Sequence, residues 1–335
     1  GSIAVSLALF ALVVLAFLVF GYVLYGRRVA RVFALDAGSA TPAHKVNDGR
    51  DFVPTPPAYL FSQHFSAIAA AGPIAGPIMA CQQFGWLPCV LWIGLGVVFI
   101  GAVHDLSALV ASVRHDAGSI VEIVRRNIGT RAASALMVFI WLSLLYVIIA
   151  FTDITAKTFV GKSPEIDFQQ GGAVAGASSM YLGLAVIMGF ALRMLKLPLG
   201  IATAIFVPAT LGVIWLGTVI PDWFVLGWAG DTFGQSKGWA MLILAYCFAA
   251  SLTPVWALLQ PRGHLGGFLL YLALFVGVVG IFVGSLLPEF AADFEVKQAA
   301  FRGWTRPDGS WIPIFPLLFV TIACGACSGF HGLVC

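Results

Sequence analysis

Charge is scarce in this sequence. Only 10% of its 335 residues are Asp, Glu, Lys or Arg, while 60% are hydrophobic and the mean hydropathy is +0.97. No soluble domain hides that much apolar surface. The chain is a series of apolar runs of about twenty residues, the length at which a helix crosses a bilayer. The short alternating segments of a membrane barrel are absent. No Cys/His cluster has metal-ligand spacing, no order of Ser, His and Asp suggests a nucleophile with its base, and no dinucleotide fingerprint appears. No metal, cofactor or catalytic residue is therefore expected, and the chain is not expected to be an enzyme. A net charge of +3 gives no support to nucleic-acid binding.

Two near-matches carry no chemistry. AKTFVGKS at 156–163 fits a relaxed nucleotide loop, but no strand precedes it. Cys324 and Cys327 have redox spacing without a second ligand pair, and all six cysteines lie in or beside apolar runs, where Cys packs as a small hydrophobe. The last apolar run stops at Cys335 with no charged anchor after it, so the chain is expected to be a piece of a longer protein.

What is present reads as an all-α polytopic membrane protein with about nine spans, near 3–25, 59–86, 87–112, 132–152, 172–192, 197–219, 239–259, 266–287 and 314–335. A single transmembrane domain covers 1–335, with a cytoplasmic loop at 26–58 and an amphipathic helix at 118–129 lying in the membrane interface. If every run crosses, Arg27, Arg28, Arg31, Lys45, Arg50, Arg114, Arg125, Arg126, Arg131, Arg193, Lys196 and Arg262 share one side. That is twelve of the 18 basic residues. The basic side is the cytoplasm, which places the N-terminus outside.

The run at 59–86 is apolar yet built to be a poor helix. Gly72-Pro73 and Gly76-Pro77 sit four residues apart, and each proline removes an N–H, so the carbonyls of Ala69 and Pro73 lose their helical partners. Such backbone survives in hydrocarbon only where protein buries it or where it lines a cavity. Broken helices of this kind hold ions and carboxylates in transporters. The plainer alternative is a kinked helix whose small residues allow close packing. A second weak point contains Ser251, Thr253 and Pro254, with Pro254 freeing the carbonyl of Ala250. A third runs from Thr321 through Ser328 to His331. Hydroxyls and free carbonyls there are hard donors for a cation or a polar substrate. Substrate contacts are thus expected at Ala69, Gly72, Pro73, Gly76, Pro77, Ser251, Thr253, Pro254 and Ser328.

Few ionisable groups lie inside the apolar runs: His64, His104, Asp105 and His331. Charge-derived topology puts all four toward the cytoplasmic side. Intramembrane ionisable residues are functional candidates by default. Interfacial pairing near helix ends is the structural alternative. His64, Asp105 and His331 are the candidates for proton coupling.

Four segments together resemble the carbon starvation protein A family of bacterial inner-membrane transporters: HFSAIAAAGPIAGP at 64–77, LWIGLGVVFIGAVHD at 91–105, AYCFAASLTPVWALLQPR at 245–262 and TIACGACSGFH at 321–331. The resemblance implies a secondary carrier that takes up peptides or small carboxylates such as pyruvate when carbon is scarce, with H⁺ or Na⁺ as coupling ion, in the inner membrane. It also implies a likeness to the five-plus-five inverted-repeat transporters, with an extra N-terminal helix and the C-terminal part missing. On that plan the 59–86, 239–259 and 312–335 segments line the substrate site, and the carboxylate faces the half-helix N-terminus after Gly76-Pro77. A membrane sensor that binds a nutrient without moving it is the alternative.

Overall fold

The structure, a computed structural model, describes residues 6–36, 38–48, 52–69, 71–161, 170–254, 256–306 and 312–326. Helices stand at all nine positions of the apolar runs. Among the described residues the only extended pairings are two isolated bridges, Ser6 with Glu295 and Thr305 with Pro313. Seven stretches are long and apolar enough to cross a membrane: Leu7–Val32, Pro57–Phe84, Trp86–Arg114, Thr130–Val160, Gln170–Met194, Leu199–Val219 and Leu259–Leu286. The helices Thr232–Leu252 and Ile314–Ala326 fill the two remaining positions. The chain is an all-α polytopic membrane protein.

Several ends differ from the sequence reading. The first helix runs on through Arg27, Arg28 and Arg31 to Val32, so these arginines ride on its last turns instead of a loop. Arginine is a good helix former, and cations suit a helix C-terminus. Thr130–Val160 extends past the apolar run because Lys157 pairs with Asp153 one turn earlier, at 2.7 Å. The predicted span at 239–259 is shifted: its helix is Thr232–Leu252, started by the Asp231 carboxylate accepting the Gly234 N–H. The short helix Ile120–Asn127 starts on Ser119, whose Oγ accepts the Glu122 N–H, while Glu122 pairs with Arg125 and Arg126.

Packing divides the chain into two compact units, Gly1–Ser134 with Leu270–Cys335, and Ala135–Leu269. In the first, Ala80, Phe84 and Cys89 pack with Ile314, Leu318 and Ile322. Trp92 adds an indole N–H donated to the Phe319 carbonyl at 3.2 Å. The segment 295–306 clasps the junction between Ala71–Phe84 and Trp86–Arg114. Helix ends leave orphan carbonyls and N–H groups, and here they are met. Gln298 Nε2 donates to Cys81 O at 2.6 Å, the Arg302 guanidinium to Gln82 O at 2.9 Å, and the Arg302 backbone N–H to Phe84 O at 3.0 Å. In return Trp86 and Leu87 donate to Ala299 O and Ala300 O. Gly85, at φ +93°, makes the turn between the helices, and an added Cβ would lie 2.6 Å from Ala300 O.

In the second unit, Gln170–Met194 and Leu199–Val219 approach closely along small residues. An added Cβ on Gly217 would stand 2.7 Å from Ala173 O. Without a hydrophobic drive between helices in lipid, such backbone contact is what holds them. Ala185, Met188, Ala191, Ala202, Phe206 and Leu265 close the core there.

Candidate functional site

Two helices, Pro57–Ile68 and Ala71–Phe84, stand in the apolar run at 59–86. Pro57–Ile68 ends at Ala69 (φ −83°, ψ 31°), whose N–H still reaches Phe65 O at 2.8 Å, and a second half-helix, Ala71–Phe84, begins two residues on. The interruption is narrower than the sequence suggested and comes earlier. Pro73 is the third residue of the second half-helix. Its missing N–H is among the first-turn donors that have no helical acceptor in any case, so it breaks nothing. Pro77 lies inside that helix and leaves only the Pro73 carbonyl without its partner. The half-helix N-terminus is therefore at Ala71, before Gly72-Pro73, and not after Gly76-Pro77.

Ala69, Gly72, Pro73, Gly76 and Pro77 thus gather on one interruption and the turns after it. Gly72 and Gly76 are buried. Gly76 packs on the last helix, Ile314–Ala326: an added Cβ would stand 2.4 Å from the carbonyl oxygen of Thr321. The first and third weak points of the sequence are in this way brought together. Ser328 and His331 lie outside the described residues.

Ser251, Thr253 and Pro254 belong to the second unit. The helix does stop there, at Leu252, and Thr253 is extended (ψ 144°). The Ala250 carbonyl, expected to be free, is met twice: by the Thr253 N–H at 3.2 Å and by the Thr253 hydroxyl at 2.8 Å. Ser251 likewise donates to Phe248 O at 2.7 Å. The chain turns sharply enough for these groups to reach back, so both hydroxyl protons are engaged in capping and only oxygen lone pairs face outward.

His64 is half-buried on the first half-helix. His104 and Asp105 are neighbours on Trp86–Arg114, with Nδ1 and Oδ1 3.0 Å apart, and Asp105 is the more covered of the two. His264 was missed by the sequence reading. It lies in Leu259–Leu286, is 4% exposed, and places Nε2 2.9 Å from Thr203 Oγ1. The single Thr203 hydroxyl proton goes to Leu199 O at 2.8 Å. Nε2 therefore carries the proton and donates to Thr203. The signal was hidden because Pro261-Arg262-Gly263 reads as a loop. Among the described residues no group of His, Cys, Asp and Glu could hold a metal ion.

The profile of the family described as Carbon starvation protein CstA matches residues 4–335. Peptide transporter CstA of Campylobacter jejuni is 36% identical over 318 residues, which cover 94% of this chain and 42% of that protein. Peptide transporter CstA of Bacillus subtilis is 32% identical over 337 residues, 99% of this chain and 52% of its own. Pyruvate/proton symporter BtsT of Escherichia coli is 32% identical over 308 residues, 91% of this chain and 40% of its own. The chain spans about half the length of these relatives or less. No solved structure matches.

Proposed function

Because the chain belongs to the Carbon starvation protein CstA family, we propose that it is part of a secondary carrier that takes up peptides or small carboxylates such as pyruvate, driven by protons, across the inner membrane. The observation that carries this reading is the interruption between Pro57–Ile68 and Ala71–Phe84 inside an apolar span, backed by the last helix at Gly76 and Thr321. A helix N-terminus turned into a low-dielectric region attracts a carboxylate through its free N–H groups and its dipole. The substrate carboxylate faces Ala71 and Gly72. The carbonyls of Ala69 and Pro73 are suited to a coupling cation or to the ammonium group of a peptide, since carbonyl oxygens only accept. Ser251, Thr253 and Pro254 of the second unit are candidate substrate contacts in their own right, and Ser328 is a further candidate.

Protons are taken up at His64, with Asp105 and His331 as further relay groups. Imidazole titrates near neutral pH, so one residue can load and release a proton in a single cycle. Nine crossings with the N-terminus outside fit the distribution of basic residues. Two of the named relatives transport peptides and a third is a pyruvate/proton symporter, which makes these the two substrate classes to test side by side. The full-length protein in sealed vesicles under an imposed pH gradient, inside alkaline, should accumulate labelled pyruvate or labelled dipeptide. Binding of either without accumulation would leave a sensor in place of a carrier.

A further inference from the structure

Between Leu7–Val32 and Trp86–Arg114 lies a cavity of about 620 Å³ that neither the transport reading nor the family assigns. Both helices loosen into π-helical turns beside it, Gly21–Gly26 on one and Val97–Gly101 on the other. Such turns mark functional positions more often than chance. The helices also touch at the wall of the opening and at the C-terminal end of the first helix. An added Cβ on Gly21 would lie 2.8 Å from Val98 Cγ2, and the Arg114 guanidinium donates to the Phe33 carbonyl beyond the C-terminal end of the first helix. What remains is a fissure beside the contact of Gly21 with Val98. Its walls are mostly apolar, from Leu18, Val97, Ala102 and Leu106, and Tyr22, Tyr25 and Arg27 stand toward one end.

The charge at that end is unmatched. Among the described residues the Arg27 guanidinium has no hydrogen bond or ion pair. Asp36, the nearest acidic group in sequence, accepts from the Gly38 N–H and the Ser39 hydroxyl, which holds its carboxyl below the usual range, and Asp105 on the facing helix pairs with His104. Arg28 and Arg31 follow Arg27 on the same helix end. An apolar fissure inside hydrocarbon is not a place for water, and the exposed Arg27 at its mouth, with Arg28 and Arg31 on the same helix end, attracts an anion. Tyrosine at the same depth is what membrane–water interfaces select. The volume lies in the range of about 300–1,000 Å³ typical of small-molecule sites.

We propose that this fissure is a binding site for one anionic phospholipid of the leaflet at the Arg27 end, an acyl chain against its apolar wall and its phosphate on Arg27. Basic pockets between transmembrane helices recognise anionic headgroups in this way. The site does not depend on which substrate is carried, or on transport at all.

The test uses the full-length protein, stripped of lipid and re-equilibrated with equal amounts of phosphatidylglycerol and phosphatidylcholine, with bound lipid counted by native mass spectrometry. Wild type should retain phosphatidylglycerol over phosphatidylcholine by on the order of fivefold, as one arginine at a membrane surface provides. Arg27→Gln should abolish the preference and Arg27→Lys should keep it. Arg28→Gln, which does not line the fissure, should leave it intact. Ala102→Phe, which fills the fissure, should reduce retention of both lipids. Equal retention of the two lipids by wild type would overturn the proposal. So would equal losses in Arg27→Gln and Arg28→Gln. Wild type that retains no lipid would show the fissure filled by the rest of the longer chain, and would overturn it as well.

Discussion

Gly76 lies directly against the carbonyl oxygen of Thr321, so close that a Cβ there would stand 2.4 Å away. The second half-helix and the last helix therefore share a backbone contact at the level just past the interruption. Gly76→Ala forces them apart. It should lower the thermal stability of the detergent-solubilised protein by about 1–3 kcal/mol, the usual range for overpacking. Gly183→Ala, where nothing lies within 4 Å, should leave it unchanged or raise it by up to about 1 kcal/mol. Equal, small effects of the two would mean the helices do not cross at Gly76.

The two prolines of the second half-helix should behave differently. Pro73→Ala changes a first-turn residue whose N–H has no helical acceptor, and stability should move by less than about 0.5 kcal/mol. Pro77→Ala restores a bond to the Pro73 carbonyl and should stabilise by up to about 3 kcal/mol. Thermal unfolding of both variants decides this. The reverse order would put the half-helix start elsewhere.

The same first-turn chemistry explains what could and could not be read from the sequence. Among the described residues the apolar runs located the seven helices long enough to cross a membrane, because length and hydropathy suffice for that. Helix starts were harder. Pro73, Pro88 and Pro261 each stand third in their helices, beginning at Ala71, Trp86 and Leu259. By composition a third-position proline looks like a loop or a break. That shifted the interruption toward Gly76, and it left His264 outside the expected membrane residues. The double capping of the Ala250 carbonyl needed the backbone path of Thr253. The clasp of residues 295–306 on Cys81, Gln82 and Phe84 joins groups more than 200 positions apart, and no local pattern announces it.

Thr253 offers a way to separate capping from substrate contact. Thr253→Val removes the hydroxyl that holds Ala250 O and should cost about 1 kcal/mol of stability. Thr253→Ser should restore it. If Thr253 also binds substrate, the Val variant should raise KM for uptake, and Ser should recover it. Unchanged KM with reduced stability would leave Thr253 as a cap alone.

Proton coupling can be divided between two histidines. His64→Gln keeps a polar side chain and removes the imidazole. It should abolish accumulation driven by a pH gradient while substrate exchange continues. His264→Gln keeps a donor for Thr203 and should leave the gradient response intact. Loss of coupling in His264→Gln alone would transfer the role to the buried imidazole.

Orientation is open to direct labelling. In a cysteine-free background, Ser39→Cys and Thr232→Cys place single exposed thiols on opposite sides of the proposed topology. A membrane-impermeant thiol reagent added to spheroplasts should modify residue 232 and spare residue 39. Labelling of residue 39 only would invert the topology.

The central claim is that substrate sits at the interruption between the two half-helices. Ala69→Cys, in full-length protein that still takes up substrate, places a thiol at that point. A small thiol reagent should modify it, and saturating pyruvate or dipeptide, whichever the protein accumulates, should slow the modification by about tenfold or more, as occupancy of a site excludes the reagent. Uptake that persists with no protection at residue 69 would contradict the account.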